Sequence, residues 1–115
     1  MRAGALLFLI LAACAVPQEQ PSSAALAADD EGLRPAGSEL RIDFGRARDG
    51  VVEAVETLIG GPPQSRSIRT DCALVPVEVI SWPDLELFFL DGAFAGLRKT
   101  GGGTPVVAGI TCELG

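Results

Sequence analysis

Leu58-Ile59-Gly60-Gly61-Pro62-Pro63 divides the chain into two kinds of pattern. Before it, Val51, Val52, Val55, Leu58 and Ile59 recur at i, i+1, i+4, i+7 and i+8. That is one apolar stripe of a helix over about 47–59. Glu53, Glu56 and Thr57 face away from the stripe, and Gly50 weakens the first turn. Two glycines and two prolines then supply a left-handed stop and a block to continuation. After that block every apolar run is short and bounded by turn residues. The expectation is an α+β fold, one helix packed on an antiparallel β meander, in the order β-α-β-β-β-β.

The strands follow from period-two alternation. Leu40-Arg41-Ile42-Asp43-Phe44 reads as a half-buried strand with Leu40, Ile42 and Phe44 inward. Residues 64–71 are polar and read as loop. Leu74 to Trp82 is rich in Val and Ile and reads as a strand, with Pro76 near its start. Pro83-Asp84 supplies a turn, Leu85 to Leu90 is the most apolar strand, and Asp91-Gly92 is a hairpin signal. Phe94 to Lys99 returns, three consecutive glycines make a loop, and Pro105 to Glu113 is the last strand. With Leu85, Leu87 and Phe89 facing the helix, Phe88 and Leu90 face the other way, and Ile80 and Trp82 are expected to join them. These four form the candidate partner surface, an apolar cluster on the side of the sheet that no helix covers. The alternative is that the preceding segment, the 64–71 loop or a curl of the sheet covers it.

The amino-terminal stretch sets the compartment. Arg2 precedes an uncharged apolar run from Ala3 to Ala13, the length of a signal-peptide core. The run is shorter than the roughly 20 residues that a membrane-spanning helix needs. It ends in Leu11-Ala12-Ala13-Cys14, which resembles the lipobox of bacterial lipoproteins. The resemblance implies cleavage before Cys14, a diacylglycerol thioether on its sulfur and an acylated new amino terminus, a membrane anchor of two or more chains. The alternative is ordinary secretion after Ala15, since Ala13-Cys14-Ala15 also fits a small-x-small cleavage site. Either way the mature chain lies outside the cytoplasm. Ala15 is not the Asp of inner-membrane retention, which favours the outer membrane.

The domain expectation is a signal peptide at 1–13, the lipidated Cys14 with a flexible tether over 14–37, and a small α+β domain over 38–115. Pro17, Pro21, Pro35, several Ala and Ser and the acidic cluster Asp29-Asp30-Glu31 give the tether little to bury. Of the three cysteines, lipidation of Cys14 leaves Cys72 and Cys112 in an oxidising compartment, where a disulfide is the simplest reading. Its loop of about 40 residues is worth roughly 4 kcal/mol on the chain-entropy model. The alternative is two buried free thiols.

Composition narrows the chemistry. Cleavage removes one of nine Lys and Arg, leaving eight against fifteen Asp and Glu, a formal charge of −7. An acidic chain without a basic cluster is a poor ligand for nucleic acid. With no His and no Tyr, neither a Ser-His-Asp nor a Cys-His arrangement can form. Gly101-Gly102-Gly103 leads into a strand, the wrong context for a phosphate cradle. Two isolated cysteines cannot fill a zinc site. Glu78 and Glu86 lie on adjacent strands, where opposed carboxylates would suit glycoside chemistry, but both occupy solvent-face positions. No catalytic residue, metal or cofactor is expected. The reading is a non-enzymatic cell-envelope lipoprotein, held by its lipid, acting as an interaction or structural module with a possible envelope protein partner. The alternative is a ligand-binding or enzyme-inhibitor-like module using the apolar sheet face.

A helix ending in Leu58-Ile59-Gly60-Gly61-Pro62, followed by antiparallel strands, resembles the SmpA/BamE-like and beta-lactamase-inhibitor-protein-like domains over Phe44 to Leu97. Leu40 through Trp82 to Phe94 also resembles small lipoproteins of alphaproteobacteria. These resemblances imply a fold and a location and no activity.

Overall fold

The structure is a computed structural model and describes residues 22–112. Among these residues there is one α-helix, α1, which spans Arg48–Ile59. Three of its core residues are valines, whose β-branching disfavours helix, so packing rather than propensity holds it. Val51, Val52, Val55 and Ile59 are buried along one stripe. Asp49 in the first turn meets the positive end of the helix dipole. Gly60 takes φ 94° at the C-terminus, and its N–H and that of Gly61 both donate to the Glu56 carbonyl. A left-handed residue here is the glycine stop expected from the sequence.

Five strands follow: β4 Ser65–Arg69, β5 Val77–Trp82, β6 Leu85–Leu90, β7 Ala93–Lys99 and β8 Val106–Gly109. They pair antiparallel in chain order. The α+β class, one helix on an antiparallel meander, is therefore what the structure has. Asp91 at φ 49° and Gly92 at φ 74° make the two-residue turn between β6 and β7. Pro83 and Asp84, the latter at φ 64°, make the one between β5 and β6. Residues 64–71, read as loop, instead contain β4. Its pattern is exposed at four of five positions, so no apolar alternation marks it. Leu40 is 78% exposed, and the strand expected around it shrinks to Ile42–Asp43.

The larger correction lies before the helix. The segment read as tether contains β1, Leu26–Asp29, and β2, Gly32–Pro35, which with β3, Ile42–Asp43, form a three-stranded sheet. Leu26 and Leu33, the large apolar residues of that segment, are buried in the same core as the helix stripe. The folded unit thus includes residues 22–37 as well as those from Ser38. The acidic cluster is the turn of this hairpin. Asp29 Oδ1 accepts the Glu31 N–H at 2.9 Å, and Arg41 grips the same carboxylate with two donors at 2.6 and 2.8 Å. Arg41 Nε also donates to Asp43 at 2.7 Å. Among the described residues no helix is long and apolar enough to cross a membrane.

The helix packs on one face of the five-stranded sheet. Ile80, Trp82, Leu85, Leu87, Phe89, Phe94 and Leu97 share a buried core with Val51, Val52, Val55 and Ile59. Phe94 and Leu97 are three residues apart, which a regular strand would send to opposite faces. A bulge shifts the register between Phe88 and Phe89, so Leu87 opposes Leu97 while Phe89 opposes Phe94. Three cross-links fix the helix to the sheet. The Trp82 Nε1–H donates to the Gly61 carbonyl at 3.0 Å, just past the helix end. At the other end Arg48 donates to both carboxylate oxygens of Glu78, through Nη2 at 3.1 Å and through Nε. The Arg48 N–H reaches the Gly92 carbonyl at 2.8 Å, on the β6–β7 turn.

Candidate functional site

The face of the sheet away from the helix is where sequence patterning put a partner surface, and the structure divides that face in two. Cross-strand register places Val77 opposite Leu90 and Val79 opposite Phe88. Val77, Val79 and Phe88 are buried, with Leu90 half-buried beside them. Their cover is Cys72, Ala73 and Cys112. The Cys72 and Cys112 Cα atoms are 5.3 Å apart, with their sulfurs at bonding distance. This lies inside the span a disulfide needs.

The four expected surface residues are not brought together. Phe88 and Leu90 do face away from the helix, but Phe88 is fully covered. Ile80 and Trp82 point the other way, into the helix-side core, at 0% and 1% exposure. The reason is alternation: Ile80 opposes Leu87 and Trp82 opposes Leu85, so each shares the face of the helix-side residue it meets. Ile80, Trp82, Phe88 and Leu90 therefore form no apolar partner surface, which removes the basis for a module that binds through these four residues. Cys14 lies outside the described residues. Glu78 and Glu86 also part company, Glu78 turning to Arg48 on the helix side and Glu86 to Arg98 on the outer side.

What remains open on the outer face is polar from β4 to β7, while at the β8 end Val107 is apolar and 52% exposed. Ser65, Ser81, Glu86, Arg98 and Val107 oppose one another in turn across all five strands. Glu86 and Arg98 pair at 3.5 Å, each with about a quarter of its side chain exposed. Two adjoining hollows share Ser65, Ser81 and Glu86. One of about 180 Å³ also touches Ser67 and Arg69, and one of about 270 Å³ also touches Gln64, Arg98 and Thr100. Arg69 grips Asp71 with two bonds of 3.0 Å, which holds the Asp71 carboxyl below the usual range. The hydroxyls both donate and accept, Glu86 accepts and Arg98 donates. Such a strip can match the polar groups of another chain without burying an unpaired charge.

Sequence reasoning missed this strip for two reasons. Ser65 and Ser67 stand on a strand read as loop. Counting outward from the Asp91-Gly92 turn puts Glu86 opposite Leu97, whereas the bulge moves it opposite Arg98. The opposite charges on strands flanking a hairpin turn were the available signal.

A separate hollow, of about 340 Å³, lies between β3 and the helix, lined by Ile42, Arg46, Ala47, Gly50, Val51 and Ala54. Among the described residues no group of three or more Cys, Asp or Glu is placed to hold a metal ion. No family model, curated protein or solved structure matches the chain.

Proposed function

We propose that the chain is a lipid-anchored protein of the bacterial cell envelope whose domain acts as an interaction module through the polar strip of its sheet. The anchor is Cys14, at the end of the apolar leader. The observation that carries the module reading is the unbroken polar row from Ser65 to Arg98, on a sheet whose central strands bury their large apolar residues on both faces. The pairing of Cys72 with Cys112 suits the oxidising side of a membrane. The partner is a protein that presents hydrogen-bonding groups, not a nucleic acid, since the chain is acidic.

Two measurements test the halves of this reading separately. Growth with an alkyne fatty acid labels the wild-type chain, and Cys14→Ala abolishes the label and frees the chain from membranes. Retained label in Cys14→Ala would contradict the anchor. A photo-crosslinking residue at position 81, at the centre of the strip, yields a discrete adduct in native membranes. The same residue at position 57, on the outward side of the helix, does not. Identical patterns at 81 and 57 would contradict the module.

A further inference from the structure

The five-stranded sheet has two edges, and they differ. At one edge β1 lies against β8, with Leu26 sharing the core of Val106 and Ala108. At the other edge, among the described residues, β4 pairs with β5 alone. Ser65, Arg66, Ser67 and Ile68 are all exposed, Ile68 at 67%. An open edge is a row of unpaired N–H and C=O groups, and proteins commonly blunt it with Pro, charged side chains, a bulge or a cover. Ser65–Arg69 contains no Pro, Gly or Lys, and its register with β5 runs without a shift.

The charges on β4 do not call for an acidic partner. Arg66 reaches Glu56 at 3.7 Å, and Arg69 is gripped by Asp71 at 3.0 Å. Both arginines are matched within the chain, so the edge offers mainly backbone groups. The sequence of the strand is also compatible with itself. A two-fold axis perpendicular to the sheet keeps each side chain on its own face, so it must pass beside a residue that opposes its own copy. An axis at Arg66 or Arg69 sets an arginine against itself, which is unfavourable. An axis at Ser65 or Ile68 leaves part of the strand without a partner. An axis at Ser67 pairs all five residues, with Ser65 opposite the partner's Arg69 and Arg66 opposite the partner's Ile68.

We propose that β4 is a pairing edge for a second copy of this chain, the two strands running antiparallel about a two-fold axis at Ser67. The two sheets become one, and the Ser65-Ser67 ends of the two polar strips meet at the seam. The proposal rests on the strand and not on lipidation of Cys14, so it stands or falls apart from the anchor.

The test uses the full chain carrying Cys14→Ala, with Cys72 and Cys112 kept, and mild oxidation followed by electrophoresis without reductant. Opposed residues of an antiparallel pair have Cα atoms about 5 Å apart, within disulfide reach. Ser67→Cys is expected to give a covalent dimer at least about tenfold faster than Ser65→Cys, whose two copies sit about 13 Å apart along the strands. Adding Ile68→Lys to Ser67→Cys sets a lysine opposite the partner's Arg66 and is expected to slow the crosslink about threefold. Equal rates for Ser67→Cys and Ser65→Cys would overturn the proposal, as would a Ser67→Cys rate that Ile68→Lys leaves unchanged.

Discussion

Each face of the five-stranded sheet holds a buried apolar cluster, and the two clusters are covered by opposite means. On the helix side, seven large side chains from β5, β6 and β7 meet four from α1 and three from the amino-terminal hairpin and β3. On the outer side, Val77, Val79 and Phe88 lie beneath a cover no larger than Cys72, Ala73 and Cys112. Burial of apolar area scales with what packs on it, at about 25 cal/mol per Å². The helix side supplies enough area to hold its own cover. The outer cover is two short irregular segments with little to bury, and ordering them costs about 1–2 kcal/mol per residue. A covalent link between them lowers that cost by restricting the unfolded chain. The difference separates a core that makes the fold from a patch that is clipped over it.

Substitutions on the two faces break this comparison by different amounts. Phe89 is 1% exposed and rests against Phe94 with ring centroids 5.7 Å apart. Phe89→Ala is expected to lower stability by about 3–5 kcal/mol, measured by denaturant unfolding. Cys112→Ser removes the clip and not the core, and is expected to cost about 2–4 kcal/mol. The native chain should show no reactive thiol at positions 72 and 112 when unfolded without reductant. Two reactive thiols there would remove the outer clip from the account.

A third change probes the path of the last strand. Gly96 opposes Gly109, and a Cβ on Gly96 would overlap the carbonyl of Ile110, which lies on the outer side. Gly96→Ala is expected to cost about 1–3 kcal/mol, with hydrogen-exchange protection lost in β8 before β5. Equal loss in both strands would mean that β8 is not the weaker member. Glu78→Ala leaves Arg48 with only the exposed Asp49 as a carboxylate partner at the start of the helix, and about 1–2 kcal/mol is expected.

The smallest effect is expected from pH. The Arg41 guanidinium, with the Glu31 N–H, holds the Asp29 carboxyl well below the usual range, and Arg69 lowers Asp71. A depressed folded-state value means that these carboxylates add stability at any pH above the unfolded value near 4. That contribution is lost as pH falls through the lowered values. Tm is expected to be flat from pH 7 to 5 and to fall gently below about 4, less so in Asp29→Asn and at high salt. Both groups are solvent-exposed, so the slope is shallow.

The helix and its stop were legible because periodicity and Gly60-Gly61 agree. Strands β5 to β7 were legible because apolar alternation and two hairpin turns agree. The rest was hidden for physical reasons. The hairpin of β1 and β2 has one deeply buried leucine per strand, Leu26 and Leu33, too few to show a period, and its acidic turn reads as solvated chain until Arg41 is placed on it. β4 has a single apolar residue, Ile68, and as an edge strand it leaves even that one exposed. The outer strip depended on the bulge at Phe88 and Phe89, which no local residue pattern announces. Ile80 and Trp82 were misassigned because Val77, Val79 and Ile80 are all apolar and parity alone decides which pair goes inward.

Hydrogen exchange of the full chain, compared before and after reduction, tests the two-face account most directly. Loss of protection is expected in 72–79 and 106–112 alone. Helix α1 and strand β6 should keep theirs, and Trp82 fluorescence should not shift. Uniform loss across α1, β6 and β8 would contradict the separation of a self-sufficient core from a clipped patch, and so would no change in 72–79 and 106–112.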